Sequence, residues 1–189
     1  MPSNSDRNSI QNLEALIYYS KKFERLRVDR AHGIAPHKPI LLLSVIEQIK
    51  RENIDTNKIY LSSELIQTFL KYWSYLGSYS HNPDISRPFF HMKSGKFWHL
   101  WANSDYEKVL SSKVKLKNLS EVKQIIQYAY LDEDLFEFLQ KPPSRSSLLS
   151  ILVTRWFPRK FALVKEIAQT DEFRNPPEYL RDNYKELYK

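Results

Sequence analysis

Glycine is the residue whose scarcity most limits this chain: Gly33, Gly77 and Gly95 are the only three in 189 residues, and each stands alone. Loops that cradle a dinucleotide or a nucleoside triphosphate need two or three glycines in close succession, because the backbone must turn left-handed and approach phosphate without a Cβ. Nucleotide-cofactor folds are thereby excluded. Cysteine is absent, which also removes disulfides, thiolate zinc sites and cysteine nucleophiles. Apolar residues make up 42% and aromatic residues 14% of the chain, enough to build a core without such staples. The length suits one domain. The longest apolar run, Pro39 to Ile46, falls far short of the roughly 20 residues of a membrane helix, and Met1 to Ile10 is polar rather than a signal sequence. The expectation is a cytoplasmic protein with no membrane partner.

Hydrophobic spacing predicts a mainly α-helical chain. Leu13, Leu16, Ile17, Tyr19, Phe23 and Leu26 form a stripe over Asn12 to Arg27, preceded by Ser9 as a cap. Pro39 opens a second helix to Arg51, since proline suits a first turn. Lys58 to Leu61 is short and β-prone. Ser62 or Ser63 starts a third helix carrying Leu65, Phe69, Trp73 and Leu76. Phe89 to Met92 and Phe97 to Trp101, flanking Lys93-Ser94-Gly95-Lys96, read as a β-hairpin. Further helices are expected from Ser120 with Lys123 to Tyr130, over Asp132 to Leu139, from Ser146 to Phe157 after a Pro142-Pro143 stop, over Phe161 to Gln169, and from Tyr179 to Tyr188. This order predicts a winged-helix-like N-terminal half with a small hairpin or sheet, then a helical C-terminal half.

Charge is segregated along the chain. Residues 21 to 51 carry eight Lys/Arg against three acids, and residues 71 to 123 carry nine against four, so each block is +5. Gln124 to Gln140 sums to −4. A basic face opposed by an acidic one is the asymmetry of a polyanion binder. Arg30, His32, His37 and Lys38 gather just before Pro39, and no acid follows until Glu47. Helix first turns ordinarily favour acids, so a first turn without them and preceded by cations is suited to an external anion such as phosphate.

Catalytic chemistry finds little support. His32 and His37 lie five apart across Gly33 and Pro36 and do not share a helix face as metalloprotease ligands do. His91 and His99 could meet across the hairpin, but no carboxylate stands near them in sequence. Pro83-Asp84 with Glu121-Val122-Lys123 can be drawn as a nuclease motif, yet its second part falls in a helical pattern. The expectation is no catalytic residue, no metal and no cofactor.

Arg30-Ala-His-Gly-Ile-Ala-Pro-His37-Lys38-Pro39-Ile-Leu-Leu-Leu, then Arg87-Pro88-Phe89-Phe90-His91-Met92 with Phe97-Trp98-His99-Leu100, resembles the sulfur-binding domain of type IV, McrA-like HNH restriction endonucleases. Tyr128 to Leu139 and Arg145 to Leu152 look like that family's helical C-terminal half. The resemblance implies binding of double-stranded DNA in which sulfur replaces a non-bridging phosphate oxygen. It implies a sulfur pocket made by Pro88, the aliphatic stem of Arg87 and the Cβ side of His91, with Arg30, His37 and Lys38 on the surrounding phosphates. Sulfur is a large, polarisable, weak acceptor, which an apolar cup desolvates at less cost than oxygen. Lys113 aligns with a base-contacting arginine, and Lys93 and Lys96 are further candidates for base or backbone contact. Arg87 stands where an aromatic residue can occur in relatives, Lys38 where arginine can and His91 where a small residue can. The implied division is a reader over residues 1–160 and a helical extension or linker over 161–189, toward a nuclease domain or subunit absent from this chain. A prokaryotic, nucleoid-associated setting and a restriction role follow from the same likeness. The alternative is an ordinary winged-helix DNA-binding protein with no sulfur selectivity.

Overall fold

A computed structural model describes residues 4–111, 116 and 118–170. Its centre is helix α2 (His37–Lys50), in which every residue from Pro39 to Ile49 is buried. A helix apolar on all sides has to be covered on all sides. Helix α3 (Ser63–Leu76) and the C-terminal helices supply much of that cover, and helix α1 (Asn4–Glu24) packs in turn against the C-terminal helices. α1 contributes Tyr19 and Phe23 to the core, whereas Leu13 and Ile17 on the expected stripe are exposed, so only the second half of the helix is packed. α3 begins as its sequence predicts: the Ser62 hydroxyl accepts the Leu65 N–H at 3.2 Å. Between α2 and α3, Ile59 exchanges backbone hydrogen bonds with Ala129 at 2.7 and 2.8 Å.

The expected hairpin is not formed. Its first arm is helical, as α4 (Ser86–His91) followed by a 3-10 turn (Met92–Gly95), and only the second arm is a strand, β1 (Trp98–Ala102). The reason is local. Asp84 accepts the Ser86 N–H at 2.9 Å, and Pro88 falls in the first turn, where a missing N–H costs nothing. Phe89 and Phe90 then turn inward, and the Trp98 indole N–H donates to the Phe89 carbonyl at 3.0 Å, tying α4 to β1.

After α5 (Glu107–Ser111) and α6 (Leu119–Ile125), the partner of β1 is β2 (Ile126–Leu131), which pairs antiparallel in the register Trp98 to Leu131 through Trp101 to Tyr128. The helix expected from Ser120 to Tyr130 therefore stops at Ile125. Alternation then decides the faces, with Ala129 and Leu131 toward the core and Tyr128 and Tyr130 outward. Helices α7 (Glu133–Gln140), α8 (Pro142–Trp156) and α9 (Phe161–Gln169) complete the described chain. Pro142 and Pro143 open α8 rather than precede it, while α9 seats Val164 and Ile167 against the body. The fold is thus mainly α with a small two-stranded sheet, as the sequence predicts. The helix expected over Tyr179 to Tyr188 lies outside the described residues.

Candidate nucleic-acid interface

A cleft of about 820 Å³ opens at the N-terminal end of α2. Its walls include the α1–α2 connection with Arg27 and Arg30, the first turn of α2 with His37 and Lys38, and α4 with Arg87, Pro88 and His91. α2 starts two residues before Pro39, so His37 and Lys38 belong to its first turn rather than to the loop ahead of it. That turn has neither an acidic residue nor a side-chain cap. The positive end of its dipole therefore lies beside these cations.

Lys38 reaches across to the 3-10 turn, where its Nζ donates to the Ser94 hydroxyl at 2.9 Å, and Ser94 donates onward to the His91 carbonyl at 3.0 Å. Burial, reinforced by Arg27, pushes the Lys38 ammonium down to about 8. The His37 Nε2–H donates to the Asn82 carbonyl at 2.7 Å, and its ring lies 4.6 Å from that of Trp73. A carbonyl only accepts, so Nε2 carries the proton and Nδ1 is the nitrogen left to protonate when an anion arrives. Burial, with His81 adding to it, holds His37 below the usual imidazole range. His91 is lowered by burial first and then by Lys38, Lys93 and Arg87. Cations crowded so closely that they depress one another are stabilised by any anion placed among them.

Both carboxylates of this region are occupied. Asp29 accepts the Ala31 N–H at 2.9 Å, which holds its acid below the usual range. Asp84 caps Ser86 and lies 3.5 Å from the largely exposed Arg87 guanidinium. Neither neutralises the cleft fully, and Arg87 keeps most of its side chain in solvent.

The fold thus brings together six residues singled out in sequence: Arg30, His37, Lys38, Arg87, Pro88 and His91. Pro88 is buried at the cleft wall, while Arg87 and His91 beside it are exposed. Lys93 and Lys96 lie on the adjoining turn, Lys93 with its Nζ 3.9 Å over the Phe90 ring and Lys96 in the left-handed conformation. Lys113 lies outside the described residues. Sequence reasoning did not single out Arg27, His81 and Ser94, which also line the cleft. Arg27 and His81 carry a charge signal, but nothing local marks Ser94, which only the packing of α4 against α2 sets opposite Lys38. His99 does not meet His91. It pairs with Asp132 at 2.6 Å and packs on Tyr130, because β1 runs to β2 and not back along α4. Among the described residues no group of three or more His, Asp or Glu could hold a metal, and no helix is long and apolar enough to cross a membrane.

A helical domain with a cation-lined cleft at an acid-free helix N-terminus defines a polyanion-binding module. Residues 19–167 match the ScoMcrA-like DNA sulfur-binding domain, and the chain belongs to that family of DNA-binding modules. No curated protein matches it.

Proposed function

We propose that this chain reads double-stranded DNA carrying a phosphorothioate linkage, as the targeting module of a modification-dependent restriction system. The observation that carries the reading is the convergence of Pro88 and His91, one turn apart on α4, with Lys38 and His37 on the first turn of α2, across one cleft. Sulfur would sit against the Pro88 ring, the Arg87 stem and the apolar edge of His91. The remaining phosphate oxygens would take charge-assisted bonds from Lys38, Arg30 and a protonated His37. Lys93, Lys96 and Lys113 would follow the flanking backbone or bases. Residues 1–160 form the reader in this proposal, with 161–189 an extension toward a nuclease domain or subunit of HNH type, in a prokaryotic cytoplasm at the nucleoid. The chain itself would bind and not cut.

The test is a titration of one duplex with and without a single sulfur substitution. Tighter binding of the modified duplex is expected, with Arg87→Ala and His91→Ala losing mainly that preference. Equal affinity of the wild type for both duplexes would refute sulfur reading. Equal losses on both duplexes in the variants would instead favour an ordinary winged-helix binder.

A further inference from the structure

The outward face of the two-stranded sheet is aromatic from end to end. Trp101 and Tyr128, direct cross-strand partners, stack with ring planes 2° apart and centroids at 5.9 Å. Tyr60 meets the Tyr128 ring edge-on at 5.6 Å, Tyr130 lies 6.4 Å from it, and Lys58 Nζ is 5.4 Å over it. Cross-strand aromatic pairs steady a two-stranded sheet, which is marginal on its own. That role accounts for the contact between the rings. It does not account for Trp101 remaining 54% and Tyr60 48% exposed, since their outer faces touch nothing that such a role requires.

We propose that this face is a second nucleic-acid site, a stacking platform for unpaired bases of single-stranded DNA. Three features favour bases over another occupant. The exposed Trp101 indole, stacked on Tyr128, offers a flat π surface, the tyrosine hydroxyls and Lys58 supply polar groups around it, and base stacking on such rings is tolerant of sequence. The face is also continuous in sequence with cationic chain. The segment leaving β1 and returning at β2 carries Lys108, Lys113, Lys115, Lys117 and Lys123, and its Leu116 lines the basic cleft. Phosphates of a strand whose bases lie on the rings would meet Lys58 at their rim. The site does not depend on the sulfur cup.

Fluorescence anisotropy with a labelled, sulfur-free oligo(dT), run beside the phosphorothioate duplex, tests this. Wild type is expected to bind the oligonucleotide. Trp101→Leu, which keeps apolar bulk against Tyr128 but offers no π face, should lose about 5- to 150-fold, the worth of one stacked base. Trp101→Phe should retain most of the affinity, and both variants should bind the modified duplex like wild type and unfold as cooperatively, with at most a small drop in melting temperature from the weakened cross-strand pair. No oligo(dT) binding by wild type, or equal binding by Trp101→Leu, overturns the proposal even if the duplex is read normally. Self-association that Trp101→Leu abolishes, without oligo(dT) binding, would also overturn it and assign the face to a second copy of the chain.

Discussion

Replacing Lys38 with Met removes one charge from the cleft and keeps most of the stem. In the free protein the ammonium is held against Ser94 at 2.9 Å, with its pKa pushed down to about 8 by burial and by Arg27. A phosphate bound beside it restores the preference for the charged form, so above pH 8 DNA can bind tightly only by taking up a proton. Wild-type affinity should therefore be level between about pH 7 and pH 8 and fall above that, by up to tenfold per pH unit. At pH 7 the variant loses one charge-assisted phosphate contact, about 1.5–3 kcal/mol, or about 10- to 150-fold. Its salt dependence should flatten by about 0.9 in log–log slope. Stability should move in the opposite direction. The folded pKa lies below the ordinary lysine value of 10.5, so the charged lysine burdens the fold fully below pH 8 and progressively less up to about 10.5. Lys38→Met should thus bind more weakly yet melt at a higher temperature at pH 7. Anisotropy titrations across pH and salt, with thermal melts of both proteins, test the reasoning. A variant that binds as tightly as wild type at pH 7, or wild-type affinity that stays level to about pH 9.5, would refute it.

His37 and His91 titrate on the other side of neutrality. Burial leaves both with lowered pKa values that a bound phosphate would raise, so binding should tighten as pH falls from about 7 toward 5.5, and His37→Gln/His91→Gln should abolish that slope; an unchanged slope would remove both from the phosphate site. The same lowered values mean that the unfolded chain binds more protons, so their contribution to stability is present above about pH 6.5 and is lost on acidification. Away from the cleft, Glu47 accepts from buried Lys71 at 2.6 Å and from Arg51 at 2.9 Å, joining α2 to α3. Lys71→Met should cost about 3–5 kcal/mol in urea unfolding by removing the cation that faces a buried carboxylate from α3, and Glu47→Gln/Lys71→Met distinctly less; a single-variant loss below about 1 kcal/mol would contradict this account.

Helices whose ends and faces are set by nearby residues were legible without a structure. Ser62 caps α3, Asp132 stands at the start of α7, and Pro39 falls in the first turn of α2. The α2 side of the candidate cleft was legible for the same reason, since a cation cluster before an acid-free first turn is a local pattern, whereas Arg87, Pro88 and His91 came only from the family resemblance. The hairpin was not, because aromatic residues favour strands only where a pleated surface receives them. Phe89 and Phe90 meet the core from a helix that Asp84 and Pro88 start, and the strand-forming alternation of Tyr128, Ala129, Tyr130 and Leu131 has no partner until β1 arrives from elsewhere in the chain.

By itself, then, the sequence determined the helical class, the absence of glycine loops and thiol chemistry, and a basic surface placed at the start of α2. These depend on composition and on interactions between residues a few positions apart. Tertiary structure alone decided that α4 stands across from α2 with Ser94 under Lys38, and that His99 goes to Asp132 instead of to His91. It also turned Trp101, Tyr128 and Tyr60 onto one outward face. Each of those contacts joins residues far apart in the chain, and the burial of α2 and the pairing of β1 with β2 choose their partners.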